Sequence, residues 1–229
     1  MANDYFQFKQ FKILQSRCAM KVGTDGVLLG AWACGGKEIL DIGTGTGLIA
    51  LMMAQRFPEA NVLGIDIDTD ACLQAKDNVA CSPFKVEIEE GSIVDKNGLF
   101  DCIVSNPPFF ENSLECPDSG RTKARHASLL SYHQLMESVC RLLSEQGEFS
   151  VVIPTDCKSR LEEEAVFAGL FKVRECGIKT TNKKSVKRYL MAFRKHPVPN
   201  PEYSLEVLMN ENGGRSQWYS QLTEAFYLK

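Results

Sequence analysis

The chain has 229 residues, 44% of them hydrophobic, and a net charge of −3. That is enough for one large α/β domain, and too nearly neutral for a nucleic-acid contact to rest on anything but local basic patches. Nine cysteines without a Cys-x-x-Cys pair, three scattered histidines, no signal-peptide pattern at Met1-Ala-Asn-Asp-Tyr5 and no membrane-length apolar run exclude a zinc ribbon and a membrane span, and fit a reducing cytosol.

The lead-in comes first. Phe6, Phe8, Phe11 and Ile13 alternate roughly with Gln7, Lys9, Gln10 and Lys12, which predicts short strands. Thr24-Asp25-Gly26 reads as a turn or helix cap, and Val27 to Ala33 as a short apolar helix. Residues 1–36 are expected to pack over a cofactor site, with Lys21 and Thr24 facing it.

The core, residues 37–196, opens with Ile39-Leu-Asp-Ile-Gly-Thr-Gly-Thr-Gly47, a short apolar strand running into alternating glycines, then a helix over Leu48–Arg56. Gly43, Gly45 and Gly47 let the backbone turn sharply and a ligand approach closely, with Thr44 between them. The spacing is Gly-x-Gly-x-Gly, not the Gly-x-Gly-x-x-Gly of dinucleotide sites. Asp41, just before it, would repel a pyrophosphate and welcome a cation. That favours S-adenosylmethionine over NAD.

Asn61 to Asp66 is a second strand, ending in an acid about twenty residues after the glycines, the spacing that reaches ribose hydroxyls. Ile67 follows, placed to pack on an adenine. Asp68 to Ala80 is a helix with an acid at its start. Lys85 to Glu90 alternates as an edge-like third strand, and Gly91-Ser92 at its end would also contact the adenine.

Phe100 to Val104 is a buried strand that must leave the sheet at Pro107-Pro108. Asn106 therefore stands at a strand's carboxyl end, where open α/β sheets bind ligands. The Asn106 amide oxygen and the Pro107 carbonyl can accept the two N–H bonds of a flat NH2 group, and Phe109 can stack on the attached ring. Phe110 reads as core.

A long polar loop over residues 111–131 turns basic at Arg121, Lys123, Arg125 and His126, and reads either as a flap on substrate phosphates or as a solvated surface. His126 has no partner visible in the sequence and is not assigned as a base. Then come a helix over Ser131–Leu143, a strand over Gly147–Ile153, a helix over Asp156–Phe167 with Asp156 as cap, and strands over Lys172–Ile178 and Tyr189–Arg194. Lys183, Lys184, Lys187 and Arg188 make the turn between those two strands basic, suited to nucleic acid or to a charged sheet edge. Joined without a helix, they should form an antiparallel hairpin. Residues 197–229 are a C-terminal extension, with a short strand over Ser204–Met209 and a helix over Ser216–Tyr227. The sum is an α/β, doubly wound, seven-stranded, mostly parallel sheet.

Asp41 to Gly47, Asp66, Gly91 and Asn106 to Phe109 resemble the class I, Rossmann-like methyltransferases of exocyclic or amide nitrogens. Met20 to Ala33, Ala124-Arg-His126 and Thr223 to Lys229 look like the bacterial tRNA1(Val) (adenine(37)-N6)-methyltransferase family. That resemblance implies a cytoplasmic enzyme that methylates the adenine 3′ of the anticodon, with tRNA as partner and neither metal nor obligate protein partner. Phe109 departs from the Tyr many such enzymes carry, which keeps the stacking face. Three alternatives stand beside it: glutamine-N5 methylation of a release factor, adenine methylation of another RNA or of DNA, and a catalytically silent RNA-binding module.

Overall fold

The first elements form a small antiparallel ladder, β1 (Tyr5–Gln7) with β2 (Lys12–Leu14). A computed structural model describes residues 4–17, 21–107 and 130–228. After the ladder come α1 (Thr24–Trp32), β3 (Glu38–Ile42), α2 (Leu48–Arg56), β4 (Asn61–Asp66), α3 (Thr69–Ala80), β5 (Glu87–Glu90) and β6 (Phe100–Ser105). The second half holds α4 (Tyr132–Leu142), β7 (Leu143–Pro154), α5 (Lys158–Phe167), β8 (Phe171–Lys179), β9 (Val186–Arg194), β10 (Glu202–Val207) and α6 (Gln217–Thr223).

The strands β3 to β10 make one sheet, ordered β10-β8-β9-β7-β6-β3-β4-β5. All neighbours run parallel except at β9, which is antiparallel to both β7 and β8. Ile39, Leu40, Ile103, Val104, Val151 and Val152 are buried, as strands covered on both faces must be. Each fully buried aliphatic side chain of this kind contributes about 1.5–3 kcal/mol.

The helices follow local signals. Asp68 caps α3, accepting from the backbone N–H groups of Asp70 and Ala71. Ser131 and Gln134 close a capping box on α4, which buries Leu135, Met136, Val139 and Leu142 on the sheet. Helix α1 packs directly on α2 because Gly26 and Gly30 face it: a Cβ at Gly30 would stand 2.8 Å from Met52 Sδ. The two chain ends share one core, in which Phe8, Phe11, Ile13 and Phe226 pack with Leu51 and Met52. Lys9 N–H donates to the Phe226 carbonyl at 2.8 Å.

The structure differs from the sequence reading in three places. The tail segment is an eighth strand of the main sheet, parallel to β8, so β10 and not the hairpin forms that edge. Its apolar side chains Tyr203 and Leu205 are exposed, which is why periodicity placed it no better than as a short strand. Strand β7 begins at Leu143, which pairs with Phe100 across an irregularity in register, so it runs straight out of α4. Asp156 makes no cap; it lies in a 3-10 turn, Thr155–Cys157, ahead of α5.

Candidate active site

The chain builds β3, β4 and β5 outward in one direction, then returns to the other side of β3 to place β6. Such a reversal opens a crevice at the strands' carboxyl ends, where doubly wound sheets bind ligands. The glycine turn leaves β3 on one side of that crevice, and Asn106 leaves β6 on the other. The Ser105 hydroxyl donates to the Ile42 carbonyl at 3.0 Å, locking the two strand ends together. The sequence offered no sign of this beyond one polar residue closing an apolar strand.

Gly43, Gly45 and Gly47 take φ of 68°, 55° and 78°, a left-handed region that costs other residues roughly 1–2 kcal/mol. The turn is hung from β4: the N–H groups of Gly43 and Thr44 both donate to the Ile65 carbonyl, at 2.9 and 3.1 Å. A Cβ built at Gly43 meets no heavy atom within 4 Å, and one at Gly45 meets only the Gly43 carbonyl, at 4.0 Å. The space over the turn is open, and these glycines are there for conformation and for whatever lies on them.

The two acids expected at the cofactor divide the work. Asp66 closes β4; its Oδ2 accepts from Gly45 N–H at 2.9 Å and its Oδ1 from Asp68 N–H at 3.0 Å. Each oxygen keeps a second lone pair, so a ribose hydroxyl can still be met. Asp41 was expected to face a cationic ligand, but it is fully buried. It sits inside β3 with Ile42 still to come, under the turn. Its Oδ2 accepts from the Thr44 hydroxyl at 2.7 Å and from Ala50 N–H at 3.1 Å. Burial pushes its carboxyl up to about 7, with the Asp66 charge adding to that and the two hydrogen bonds opposing it.

The other residues expected at the cofactor lie as follows. Ile67, beside Asp66, is 51% exposed, an apolar face offered to a flat ring. Gly91 N–H donates to the Asp66 carbonyl at 2.8 Å, so the end of β5, with half-buried Ser92, is drawn against the end of β4. Thr24 opens α1, whose Gly26 would set a Cβ 3.1 Å from Leu48, the residue after the glycine turn. Lys21, three residues ahead, is exposed. Open room over glycines, an acid with spare lone pairs and an exposed aliphatic face suit an adenosine-based methyl donor. Asp41 would support that site from below and not touch it.

On the acceptor side, Asn106 is half-buried and Pro107 buried. Phe109, Phe110, Arg121, Lys123, Arg125 and His126 lie outside the described residues. Because β8 runs parallel to β7, its hairpin to β9 emerges at the same edge as Asn106. Lys183, Lys184 and Lys187 there are exposed, with no carboxylate within 4 Å among the described residues. Arg188 differs: it pairs with Asp25 of α1, tying the hairpin to the lead-in. Burial raises the Asp25 carboxyl, against the pull of Arg188. Among the described residues no three His, Cys, Asp or Glu side chains could hold a metal ion, and no helix is long and apolar enough to cross a membrane.

Comparisons with known proteins bear on the family and the fold. Residues 22–176 match the family model described as the methyltransferase small domain. The chain is 46% identical over 240 residues to the tRNA1(Val) (adenine(37)-N6)-methyltransferase of Bacteroides thetaiotaomicron, covering 100% of this chain and 99% of that one. It is 41% identical to the protein of the same name from Trichodesmium erythraeum, covering 100% of both. Among solved structures it is similar to a predicted O-methyltransferase of Agrobacterium tumefaciens, with a TM-score of 0.66 at 15% identity over 88% of this chain and 96% of that one.

Proposed function

This chain belongs to the methyltransferase small-domain family and to the family of those full-length tRNA1(Val) (adenine(37)-N6)-methyltransferase relatives, and from that premise we propose that it methylates N6 of adenine 37 in a valine tRNA. It is an S-adenosylmethionine-dependent methyltransferase, and the bound cofactor supplies a methyl group activated by a positively charged sulfur. Gly43, Gly45 and Gly47 hold it, Asp66 meets the ribose, and Ile67 and Gly91-Ser92 take the adenine.

The observation that carries the acceptor reading is the position of Asn106. It stands one residue past β6, across the crevice from the glycine turn, with Ser105 clamping the two strands. The N6 lone pair of adenine is delocalised into its ring, which makes the amine a poor nucleophile. Asn106 Oδ1 and the Pro107 carbonyl accept its two N–H bonds and let the nitrogen pyramidalise toward the methyl group; S-adenosylhomocysteine would leave as a neutral thioether, and the methylated nitrogen would release one N–H proton to solvent. Asn does this without putting a second charge in the crevice. The rate then comes from orientation and fixed dipoles. Phe109 stacks on the base, which an anticodon loop offers already unstacked. Lys183, Lys184 and Lys187 receive the RNA backbone, and Arg121, Lys123, Arg125 and His126 extend that contact. A tRNA substrate places the enzyme in the cytoplasm.

The test is incubation with methyl-labelled S-adenosylmethionine and total tRNA from a strain lacking the modification, followed by digestion and mass spectrometry. N6-methyladenosine next to a valine anticodon is the expected result. Label in a protein glutamine and none in RNA would keep the cofactor site and overturn the acceptor.

A further inference from the structure

Asn78 lies in α3 and is completely buried. Its carboxamide is fully engaged: Oδ1 accepts from Leu14 N–H at 2.8 Å, while Nδ2 donates to the Leu14 carbonyl and to the Thr46 carbonyl, each at 2.9 Å. The first two bonds imitate a rung of β-ladder, so Asn78 pairs with β2 as another strand would. The third reaches the glycine turn, where Thr46 stands between Gly45 and Gly47, both at positive φ. Nearby on the same helix, Gln74 accepts from Arg17 N–H at 3.2 Å and Asp77 pairs with the Arg17 guanidinium at 3.0 Å. The lead-in is thus clipped to α3 at the point where α3 also holds the turn.

We infer that Asn78 is a positioning residue for the cofactor, fixing the glycine turn and the incoming strand to one helix through a single carboxamide. A peptide with glycines on either side of Thr46 has little to hold it in one conformation. The Asn78 N–H to the Thr46 carbonyl supplies that restraint from below, as the Asp66 carboxylate supplies it at Gly45. No other side chain joins β2 to the turn among the described residues. Asn is a weak helix former, so its place inside α3 reflects these bonds and not helix propensity. The inference rests on the glycine turn being the cofactor's cradle.

Asn78→Asp tests it. The substitution keeps the acceptor for Leu14 N–H and turns both donations into an oxygen facing two carbonyls. Binding of S-adenosylhomocysteine, measured by calorimetry, is expected to weaken by about tenfold or more, the worth of one net hydrogen bond to the turn. The cofactor KM should rise by a larger factor than kcat falls. Hydrogen exchange should quicken at Leu14 and at residues 45–47 while amides in β6 and β7 stay protected. Should the Asp variant fail to fold, Asn78→Ala carries the same measurements. Affinity within twofold of wild type, with only a lower melting temperature, would make Asn78 a plain core residue and overturn the inference. Wild-type protein that binds no S-adenosylhomocysteine would instead remove the cradle reading itself.

Discussion

The two halves of the sheet solve the problem of buried charge in opposite ways. On the half proposed to hold the cofactor, Asp41 is buried with a hydroxyl and a backbone N–H for company, and among the described residues no lysine or arginine pairs with it; its carboxyl is pushed up to about 7. On the other half, Glu148 of β7 is buried between Arg174 of β8 and Arg194 of β9, at 2.7 and 2.8 Å. Burial pushes Glu148 up as well, but the two guanidinium groups outweigh it and its carboxyl falls below the usual range. The surface charges divide along the same line. Asp66, Asp68, Asp70 and Glu90 crowd the ends of β4 and β5, while Lys183, Lys184 and Lys187 stand on the β8–β9 hairpin. The half proposed to meet RNA carries its positive charge on that hairpin, as a surface meeting phosphates would need.

The largest effect expected from this contrast is in the pH dependence of stability. Asp41 has a folded value of about 7 against 3.8 unfolded, so its contribution is complete below 3.8 and lost as pH rises through 7. A rise of that size is worth on the order of 4 kcal/mol. Urea unfolding of the cofactor-free protein should therefore show stability falling from pH 4 to pH 8, and Asp41→Asn should flatten that slope. Glu148 acts in the other direction, adding stability above about pH 4.5 and losing it in more acid solution. Equal slopes in wild type and Asp41→Asn would erase the contrast.

Asn106→Ala comes next. It should lower single-turnover methyl transfer by about 10²–10³-fold, as removal of one preorganised polar group does elsewhere, and leave S-adenosylhomocysteine affinity nearly unchanged in calorimetry. Loss of affinity with the turnover would move the Asn-Pro-Pro turn to the cofactor half. Asp66→Ala should do the reverse, weakening cofactor binding by about tenfold with a smaller fall in kcat at saturation. It also removes the bonds to Gly45 and Asp68, so hydrogen exchange at those amides should quicken. Normal binding in that variant would displace β4 from the site.

The smallest effect sharpens the other half. Replacing Lys183, Lys184 and Lys187 with Ala should raise the KM for tRNA and flatten its salt dependence, by about 0.7 in slope for each phosphate no longer neutralised. Cofactor affinity should not move. An unchanged salt slope would assign these lysines to solubility alone and leave the RNA to another surface.

Much of the cofactor half was legible because its determinants are local. A run of buried aliphatics, three glycines at alternate positions, and an acid at the next strand's end are each read within one turn of chain, whereas the order of the strands came from the structure. The Asn106 turn was legible for the same reason, since two prolines fix where β6 must stop. Sequence alone therefore determined the α/β class, the glycine turn after β3 and the point where β6 stops. It left Asp41 in the wrong place, because one residue of depth in β3 separates a ligand-facing carboxylate from a buried brace, and periodicity does not measure depth. Only the tertiary structure decided that Asn78 joins Leu14 to Thr46, that Arg188 reaches Asp25, that Glu148 lies between two arginines and that Glu202–Val207 adds a strand beyond β8. Each of these joins groups far apart in the chain through side-chain geometry or strand pairing. No local pattern records such partners, because they meet only after the sheet has closed.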